Sequence, residues 1–264
     1  MNEEFVVKNC KLYGNSPYKI ALIHGGPGGA GEMADIARHL SCTMSVMEPF
    51  QTALSVQGQV DELKDILSSA LSITLLGYSW GAMLSLLIAS QNPRMFKKLI
   101  LVGCPPLGQK FAEETPKTRQ MRLSPEDQIE ISKIKNKIST TNQKERKKLF
   151  LELKKLFEKV DSYNLDTSLS EPHIDFRLDI YEHVWSEAEK LRKEGSFLTC
   201  LSSISCPVVF IHGDYDPHPC AAVWEAVSFI KNAHVVILKN CGHTPWVEIE
   251  AKNEFYELLK KELE

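Results

Sequence analysis

Cysteine is scarce and unpatterned in this chain of 264 residues. Its seven cysteines are scattered, odd in number and never arranged as Cys-x-x-Cys. A disulfide framework and a zinc knuckle both need paired, regularly spaced cysteines, so the sequence predicts neither. Because free thiols persist in a reducing compartment, we expect the protein to work in the cytoplasm.

The chain also lacks a dominant charge and any long apolar run. Its 31 basic and 34 acidic residues leave a formal net charge of -3, so no field of one sign predicts binding to nucleic acid or to an anionic membrane. No apolar stretch approaches the roughly 18 residues that a membrane span needs. The first residues, MNEEFVVK, show no basic segment followed by an apolar one, so we predict no secretion signal.

Short apolar runs rich in β-forming residues recur at both ends of the chain. Several are nearly continuous in Ile, Val and Leu, which is typical of parallel strands covered on both faces. Helical patterns lie between them, at residues 57–67 and from Ser79 to Gln91, and a last one spans 251–263. This alternation predicts an α/β fold with a doubly wound, mostly parallel sheet. The runs are KIALIH (19–24), CTMSVM (42–47), SITLLG (72–77), KLILVG (98–103), PVVFIH (207–212) and HVVILK (234–239).

The middle of the chain contains no convincing strand. SPED (124–127) is a strong helix start, with a capping serine, a proline at the first helical position and acids at the positive end of the helix dipole. Two further helical patterns follow, at 143–160 and 180–194. We therefore predict a helical cap inserted into an α/β core, with residues 106–205 as the cap and residues 1–105 and 206–264 as the core.

One serine stands between two glycines, directly after a predicted strand and directly before a predicted helix. The segment GYSWG (77–81) matches Gly-x-Ser-x-Gly in the strand–turn–helix context that gives this motif its meaning. Such a turn presents the Ser79 hydroxyl clear of the carboxyl edge of the sheet. The motif is loose enough to occur by chance in a plain turn, but its flanking strand and helix favour Ser79 as a nucleophile.

A serine nucleophile needs a general base, and the base needs an orienting acid. In this architecture they follow the serine in the order acid, then histidine. Asp214 and Asp216 both follow the strand at 207–212, and we prefer Asp216 because the Gly-x-x-Asp turn carries it further over the sheet edge. His243 follows the last strand behind a glycine, so we predict it as the base.

A second glycine-rich segment, HGGPGGAG (24–31), follows the strand at 19–24. A phosphate-binding loop is the alternative, but no Gly-Lys-Ser/Thr follows and Pro27 removes an N–H group that phosphate would need. The segment fits an oxyanion hole better. We predict that the backbone N–H groups of Gly26 and Trp80 point at the developing oxyanion.

Four motifs together resemble the prolyl-iminopeptidase-like group of α/β-hydrolases: HGGPGG (24–29), GYSWG (77–81), HGDYDPHP (212–219) and CGHTPW (241–246). HGGPG is fairly specific for this group, whereas Gly-x-Ser-x-Gly is shared by many hydrolases. The resemblance implies Ser79 as the nucleophile, Asp216 as the acid, His243 as the base and Gly26 in the oxyanion hole. Aminopeptidases of this group hold the substrate amine with cap glutamates. The candidate cap acids here include Glu171, Asp175, Asp179 and Glu182, but none of them matches those positions, so the resemblance implies a hydrolase more strongly than an aminopeptidase.

These observations predict a serine hydrolase that acts through an acyl-enzyme on a small molecule or short peptide, with no metal and no organic cofactor. The first hypothesis is removal of an N-terminal residue such as proline, and the second is hydrolysis of a carboxylic ester or lactone. A cap acid facing Ser79 would favour the first, and an apolar cap pocket the second. A third hypothesis, a non-catalytic ligand-binding protein of the same fold, is disfavoured by the intact serine, acid and histidine.

Overall fold

The computed structural model describes residues 9–68, 72–169 and 173–264. Its main sheet has seven strands in the order β1-β4-β2-β5-β6-β8-β9, and a separate two-stranded pair joins β3 and β7. In the main sheet β1 runs antiparallel to β4, and the other neighbouring strands run parallel. This confirms the predicted fold class. The strands are β1 (Cys10–Tyr13), β2 (Ile20–Ile23), β3 (Gly29–Ala30), β4 (Val46–Pro49), β5 (Ile73–Tyr78), β6 (Phe96–Val102), β7 (Asp175–Phe176), β8 (Val208–Gly213) and β9 (Ala233–Leu238).

Helices cover both faces of the main sheet. The helices are α1 (Ala34–Leu40), α2 (Val56–Leu67), α3 (Trp80–Gln91), α4 (Glu114–Arg122), α5 (Pro125–Ile138), α6 (Gln143–Asp161), α7 (Leu178–Lys193), α8 (Ser196–Cys200), α9 (Cys220–Val227) and α10 (Lys252–Leu263). The apolar layer on one face is formed with α2, α3, α7 and α9, and the layer on the other face with α1 and α10. Every residue from Trp80 to Ala89 is buried, which explains why α3 is apolar all round.

Two predictions about strands were wrong. The run at 42–47 was expected to be a strand, but β4 starts only at Val46. The amides of Thr43 and Met44 bond back to the Leu40 carbonyl and so extend the end of α1, which overrides the β-propensity of this run. Residues 106–205 were expected to hold no strand, but β7 lies there and pairs with β3. Two residues are too short to produce a detectable alternation.

The segment between β6 and β8 is otherwise helical and contains α4 to α8. Its division from the core at residues 105 and 206 stays a prediction. None of the helices in the described ranges is long and apolar enough to span a membrane. The predicted cytoplasmic location stays a prediction as well.

Candidate active site

Ser79 lies at the sharp turn between β5 and α3. Its backbone adopts φ 52° and ψ −115°, a conformation that residues other than glycine rarely adopt, and its N–H donates to the Val102 carbonyl at 2.9 Å. The flanking glycines are required by close contacts. A Cβ on Gly77 would lie 2.4 Å from the Gly81 carbonyl oxygen, and one on Gly81 would lie 2.1 Å from the Ile23 carbonyl oxygen. The sequence therefore folds here into a strained turn that exposes one hydroxyl.

Asp216 and His243 form a buried hydrogen-bonded pair. Nδ1 of His243 lies 2.7 Å from Oδ2 of Asp216. Burial alone would lower the pKa of His243, but the adjacent Asp216 carboxylate outweighs it and raises the pKa above its usual value. Burial would likewise raise the pKa of Asp216, yet the surrounding histidines hold it well below its usual value. The acid is therefore ionised, and it favours the protonated form of the base.

His243 lies at the same sheet edge as Ser79. A Cβ on Gly103 would lie 2.9 Å from Cε1 and Nδ1 of His243, and Gly103 directly follows Val102, whose carbonyl accepts the Ser79 N–H. The ring of Tyr78 lies 5.0 Å from that of His243, centroid to centroid. No hydrogen bond joins the Ser79 hydroxyl to His243 among the described residues, a contact that free enzymes often complete only when substrate binds.

The glycine-rich loop faces the same edge. The N–H of Gly25 is already used, because it donates to Oε2 of Glu32 at 2.9 Å. Gly26 has φ 106°, and a Cβ there would lie 2.8 Å from the Gly29 nitrogen, so the position requires glycine. Within the described ranges, no hydrogen bond engages the N–H of Gly26 or that of Trp80, the first residue of α3. Both predicted donors are therefore available for an oxyanion.

The segment between β6 and β8 holds this loop in place. Gly29 pairs with Phe176, and the Arg177 N–H donates to the Gly28 carbonyl at 2.9 Å. A Cβ on Gly28 would lie 2.5 Å from the Arg177 carbonyl oxygen. The predicted cap thus contacts the oxyanion loop through its backbone.

Glu248 is a residue that the sequence analysis missed. Its carboxylate is fully buried and accepts backbone N–H groups from Tyr163 at 3.0 Å, Asn164 at 2.8 Å and Gly242 at 2.9 Å. The His243 N–H in turn donates to the Asp161 carbonyl at 2.9 Å. The loop that carries His243 is therefore fixed to the segment that follows α6. No local pattern around Glu248 could have predicted contacts with residues about 85 positions away.

A second missed acid, Glu32, lies beside Ser79. The position of a Cβ on Gly25 would be 2.7 Å from Oε2 of Glu32 and 3.2 Å from Cβ of Ser79. Lys154 of α6 reaches Glu32 at 3.3 Å and forms a second ion pair with Glu158. This carboxylate is therefore neutralised by a lysine of the predicted cap.

Several acids of the predicted cap are paired as well. Asp161 accepts two side-chain nitrogens of Arg119, with the shorter contact at 2.6 Å. The candidate amine-binding acids differ in their surroundings: Asp179 pairs with Arg177, Glu182 pairs with Arg146, Asp175 is exposed on β7, and Glu171 lies outside the described residues.

A row of aromatic side chains connects the nucleophile turn to the oxyanion loop. We call it the aromatic row, and its successive ring centroids lie 6.4, 6.2, 4.5 and 5.1 Å apart. One end is Trp80, next to Ser79, and the other is Phe176, which pairs with Gly29. The members in order are Trp80, Trp185, Tyr181, Phe150 and Phe176.

Asp214, the alternative acid, and His24, another histidine at a strand end, both have structural partners. Nδ1 of His24 donates to the Gly25 carbonyl at 2.8 Å, and Oδ1 of Asp214 accepts the Cys241 N–H at 3.3 Å. Ligand atoms of Asp216, His218 and His243 lie within 4.8 Å of one another, a spacing compatible with a metal ion. However, the Asp216 carboxylate already receives a hydrogen bond from each ring, so the three side chains satisfy one another without an ion.

The family can now be assigned. A family model for the α/β-hydrolase fold matches residues 52–248, which is most of the chain and includes all three residues predicted as the triad. The chain belongs to the α/β-hydrolase fold family. This confirms the predicted family and, with it, the enzyme class, a hydrolase.

Solved structures of this family resemble the chain along nearly its whole length. VinJ superimposes with a TM-score of 0.71 at 20% identity, over 96% of this chain and 93% of that one. The proline iminopeptidase of Mycobacterium smegmatis gives 0.65 at 18%, over 96% and 93%. Est816, described as an N-acyl homoserine lactone degrading enzyme, gives 0.64 at 15%, over 96% and 95%. No curated protein sequence matches significantly. At these identities the likeness shows the fold alone.

Proposed function

We propose that this α/β-hydrolase is a serine hydrolase whose triad is Ser79, His243 and Asp216. The observation that carries the proposal is the buried Asp216–His243 pair, with 2.7 Å between Oδ2 and Nδ1, at the sheet edge where Ser79 occupies its strained turn. A structural serine has no need of an activated histidine beside it. The role of each residue follows from the chemistry of acyl transfer.

In the first half of the reaction, Oγ of Ser79 attacks the acyl carbonyl while Nε2 of His243 takes its proton. Asp216 keeps the proton of His243 on Nδ1 and stabilises the imidazolium that forms. The N–H groups of Gly26 and Trp80 hold the oxyanion, each contributing about 3 kcal/mol to the transition state. The imidazolium then protonates the leaving group. Water, deprotonated by His243, hydrolyses the acyl-enzyme and restores the serine.

We favour a carboxylic ester or lactone as the substrate class. Glu32, which lies beside Ser79, and Asp161, whose backbone carbonyl bonds to the His243 N–H, are each paired with a cation of the predicted cap, so neither offers an unpaired carboxylate to a substrate ammonium. Trp185, Tyr181 and Phe150 of the aromatic row are only partly buried and offer apolar surface instead, whereas Trp80 and Phe176 are buried. By the criterion set from the sequence, an apolar environment favours the ester hypothesis.

Hydrolysis of an N-terminal residue, as in prolyl iminopeptidases, is the second candidate. Glu32 lies beside Ser79 and is bound by Lys154, so movement of that lysine would free a carboxylate for a substrate amine. The HGGPGG segment and the similarity to a proline iminopeptidase support this candidate.

A fluorophosphonate probe and two substrate panels test both levels of the proposal. We expect the wild type to be labelled and Ser79→Ala not to be, and we expect p-nitrophenyl esters to be turned over faster than Pro-, Ala- and Leu-p-nitroanilides. Faster anilide turnover would select the aminopeptidase candidate. A folded wild type that neither reacts with the probe nor hydrolyses any substrate would refute the serine hydrolase and favour a ligand-binding protein. Unchanged turnover after incubation with EDTA would support the predicted absence of a metal cofactor.

A further inference from the structure

Asp216 is shared by two histidines. Oδ2 accepts from Nδ1 of His243, and Oδ1 accepts from Nδ1 of His218 at 2.7 Å and from the His218 backbone N–H at 2.9 Å. All three side chains are buried. Each carboxylate oxygen therefore has an imidazole of its own, although a serine triad needs only one.

The position of His218 is itself fixed. It lies between Pro217 and Pro219, whose rings restrict the backbone on both sides. Its carbonyl accepts a hydrogen bond from Nε2 of His212 on β8 at 2.8 Å. The rings of His218 and His243 lie 4.7 Å apart, centroid to centroid. His218 is thus fixed beside Asp216, with its ring next to that of His243.

Burial limits which of the groups in the cluster around Asp216 carry a charge at pH 7. Burial lowers the pKa of His218 to about 4, so the ring is neutral at pH 7 and uses its Nδ1 proton for Asp216. Burial also raises the pKa of Tyr78 and of the nearby thiols, which stay uncharged at that pH. The other titratable and charged groups that face the cluster are Arg119, Asp161, Tyr78, Cys104, His212, Cys220 and Cys241.

We propose that His218 is a positioning residue, which holds Oδ1 of Asp216 so that Oδ2 and the carboxylate charge are directed at His243. This inference rests on the proposed function of Ser79, Asp216 and His243. Without His218, the buried Oδ1 would lose its side-chain donor, and the carboxylate could rotate away from the geometry that orients the base.

Three substitutions of His218 distinguish its hydrogen bond to Asp216 from the space that its side chain fills. His218→Ala removes the donor, whereas His218→Asn places an amide nitrogen where Nδ1 lies. His218→Gln keeps the volume but carries its amide one bond too far, and it serves if the alanine variant folds poorly. His183→Ala is the matched control, because His183 is exposed on α7 and bonds only to its own helix.

We expect His218→Ala and His218→Gln to lower kcat on a p-nitrophenyl ester by about 10- to 100-fold with KM nearly unchanged, by analogy with other second-layer hydrogen-bond partners. The acid limb of the kcat/KM profile should move to lower pH, because a carboxylate turned away from His243 stabilises the imidazolium less. His218→Asn should recover most of kcat, and His183→Ala should match the wild type. Active sites are counted with the fluorophosphonate probe, so that misfolded protein does not enter kcat.

Two outcomes would overturn the inference. One is a His218→Ala or His218→Gln variant with the kcat and pH profile of the wild type. The other is a loss of labelled sites and of melting temperature in all three variants, with kcat per labelled site unchanged, which would mark a purely structural role. If either outcome is found while the Ser79→Ala variant is inactive, the proposed function still stands. An unlabelled wild type, or an active Ser79→Ala variant, would instead refute the proposed function.

Discussion

Replacing Glu248 by glutamine tests whether the histidine loop depends on its attachment to the segment after α6. The substitution keeps the size and shape of the side chain but replaces one acceptor oxygen by an NH2 group, which can only donate. Because Oε1 accepts from two N–H groups and Oε2 from one, the less damaging orientation places the new NH2 against Asn164. Even then, one buried backbone N–H faces another donor.

The expected cost follows from these contacts. Two charge-assisted hydrogen bonds become neutral ones, and a third is replaced by an unsatisfied buried N–H that costs about 1–3 kcal/mol. Burying a glutamine costs less free energy than burying a carboxylate, and this offsets part of the loss in stability. We therefore expect the free energy of unfolding to fall by about 3 kcal/mol and the melting temperature by about 6–12 °C for a chain of this size. Because Gly242 precedes His243, kcat per active site should fall as well.

Urea unfolding and active-site titration measure the two effects. Glu250→Gln is the matched control, since Glu250 accepts from the side chain of the same Asn164 at 2.8 Å but does so at the surface. It should change the free energy of unfolding by less than about 0.5 kcal/mol. If Glu248→Gln were as stable and as active as Glu250→Gln, the buried carboxylate would not position the loop and the reasoning would fail.

Three further predictions concern the triad and the oxyanion hole. Asp216→Asn should lower kcat by about 10⁴-fold while leaving KM similar, because His243 loses the carboxylate that fixes its tautomer. Ester assays with enzyme whose active sites have been titrated measure both constants. Since the pKa of His243 is raised above 6.5 and its neutral form is the base, kcat/KM should fall as pH decreases through a value above 6.5, and an acid limb below 6.5 would contradict this. Gly26→Ala should reduce kcat by about 10²- to 10³-fold. The backbone φ of residue 26 is 106°, and an alanine Cβ there would lie 2.8 Å from the Gly29 nitrogen, so the N–H of residue 26 must shift away from the oxyanion. Turnover equal to that of the wild type would exclude Gly26 from the oxyanion hole.

The sequence predicted those features that are local. Continuous apolar runs located five of the six expected strands within two residues, and the serine, acid and histidine motifs lay where strands end. The run at 42–47 failed because a helix end captured the amides of Thr43 and Met44. The short strand β7 is defined by its pairing with β3, and two residues are too few for a sequence pattern to predict that pairing.

The surroundings of the candidate site were less predictable, because they are made by contacts distant in the chain. Lys154 reaches Glu32 across 122 positions, and Arg119 reaches Asp161 across 42. In the sequence Lys154 is one of many charged residues in a helical pattern, and nothing near Glu32 or Arg119 marks either residue as a partner in these ion pairs. His218 was visible as a histidine in the acid loop, but its bond to the second carboxylate oxygen became apparent only once β8 and β9 had brought Asp216 and His243 together.

These contacts bear on how the predicted cap can be treated in experiments. Phe176 pairs with Gly29 of the oxyanion loop, and the Asp161 carbonyl accepts the N–H of His243. The segment between β6 and β8 therefore contacts both the loop that offers the oxyanion donors and the loop that offers the base. A chain without this segment would lose a backbone partner at each of them, and Glu248 would lose two of its three donors. Exchange of the cap between relatives would thus alter catalytic geometry together with substrate choice. Single substitutions at Trp185, Tyr181 or Phe150, the partly exposed members of the aromatic row, are the cleaner way to change specificity alone.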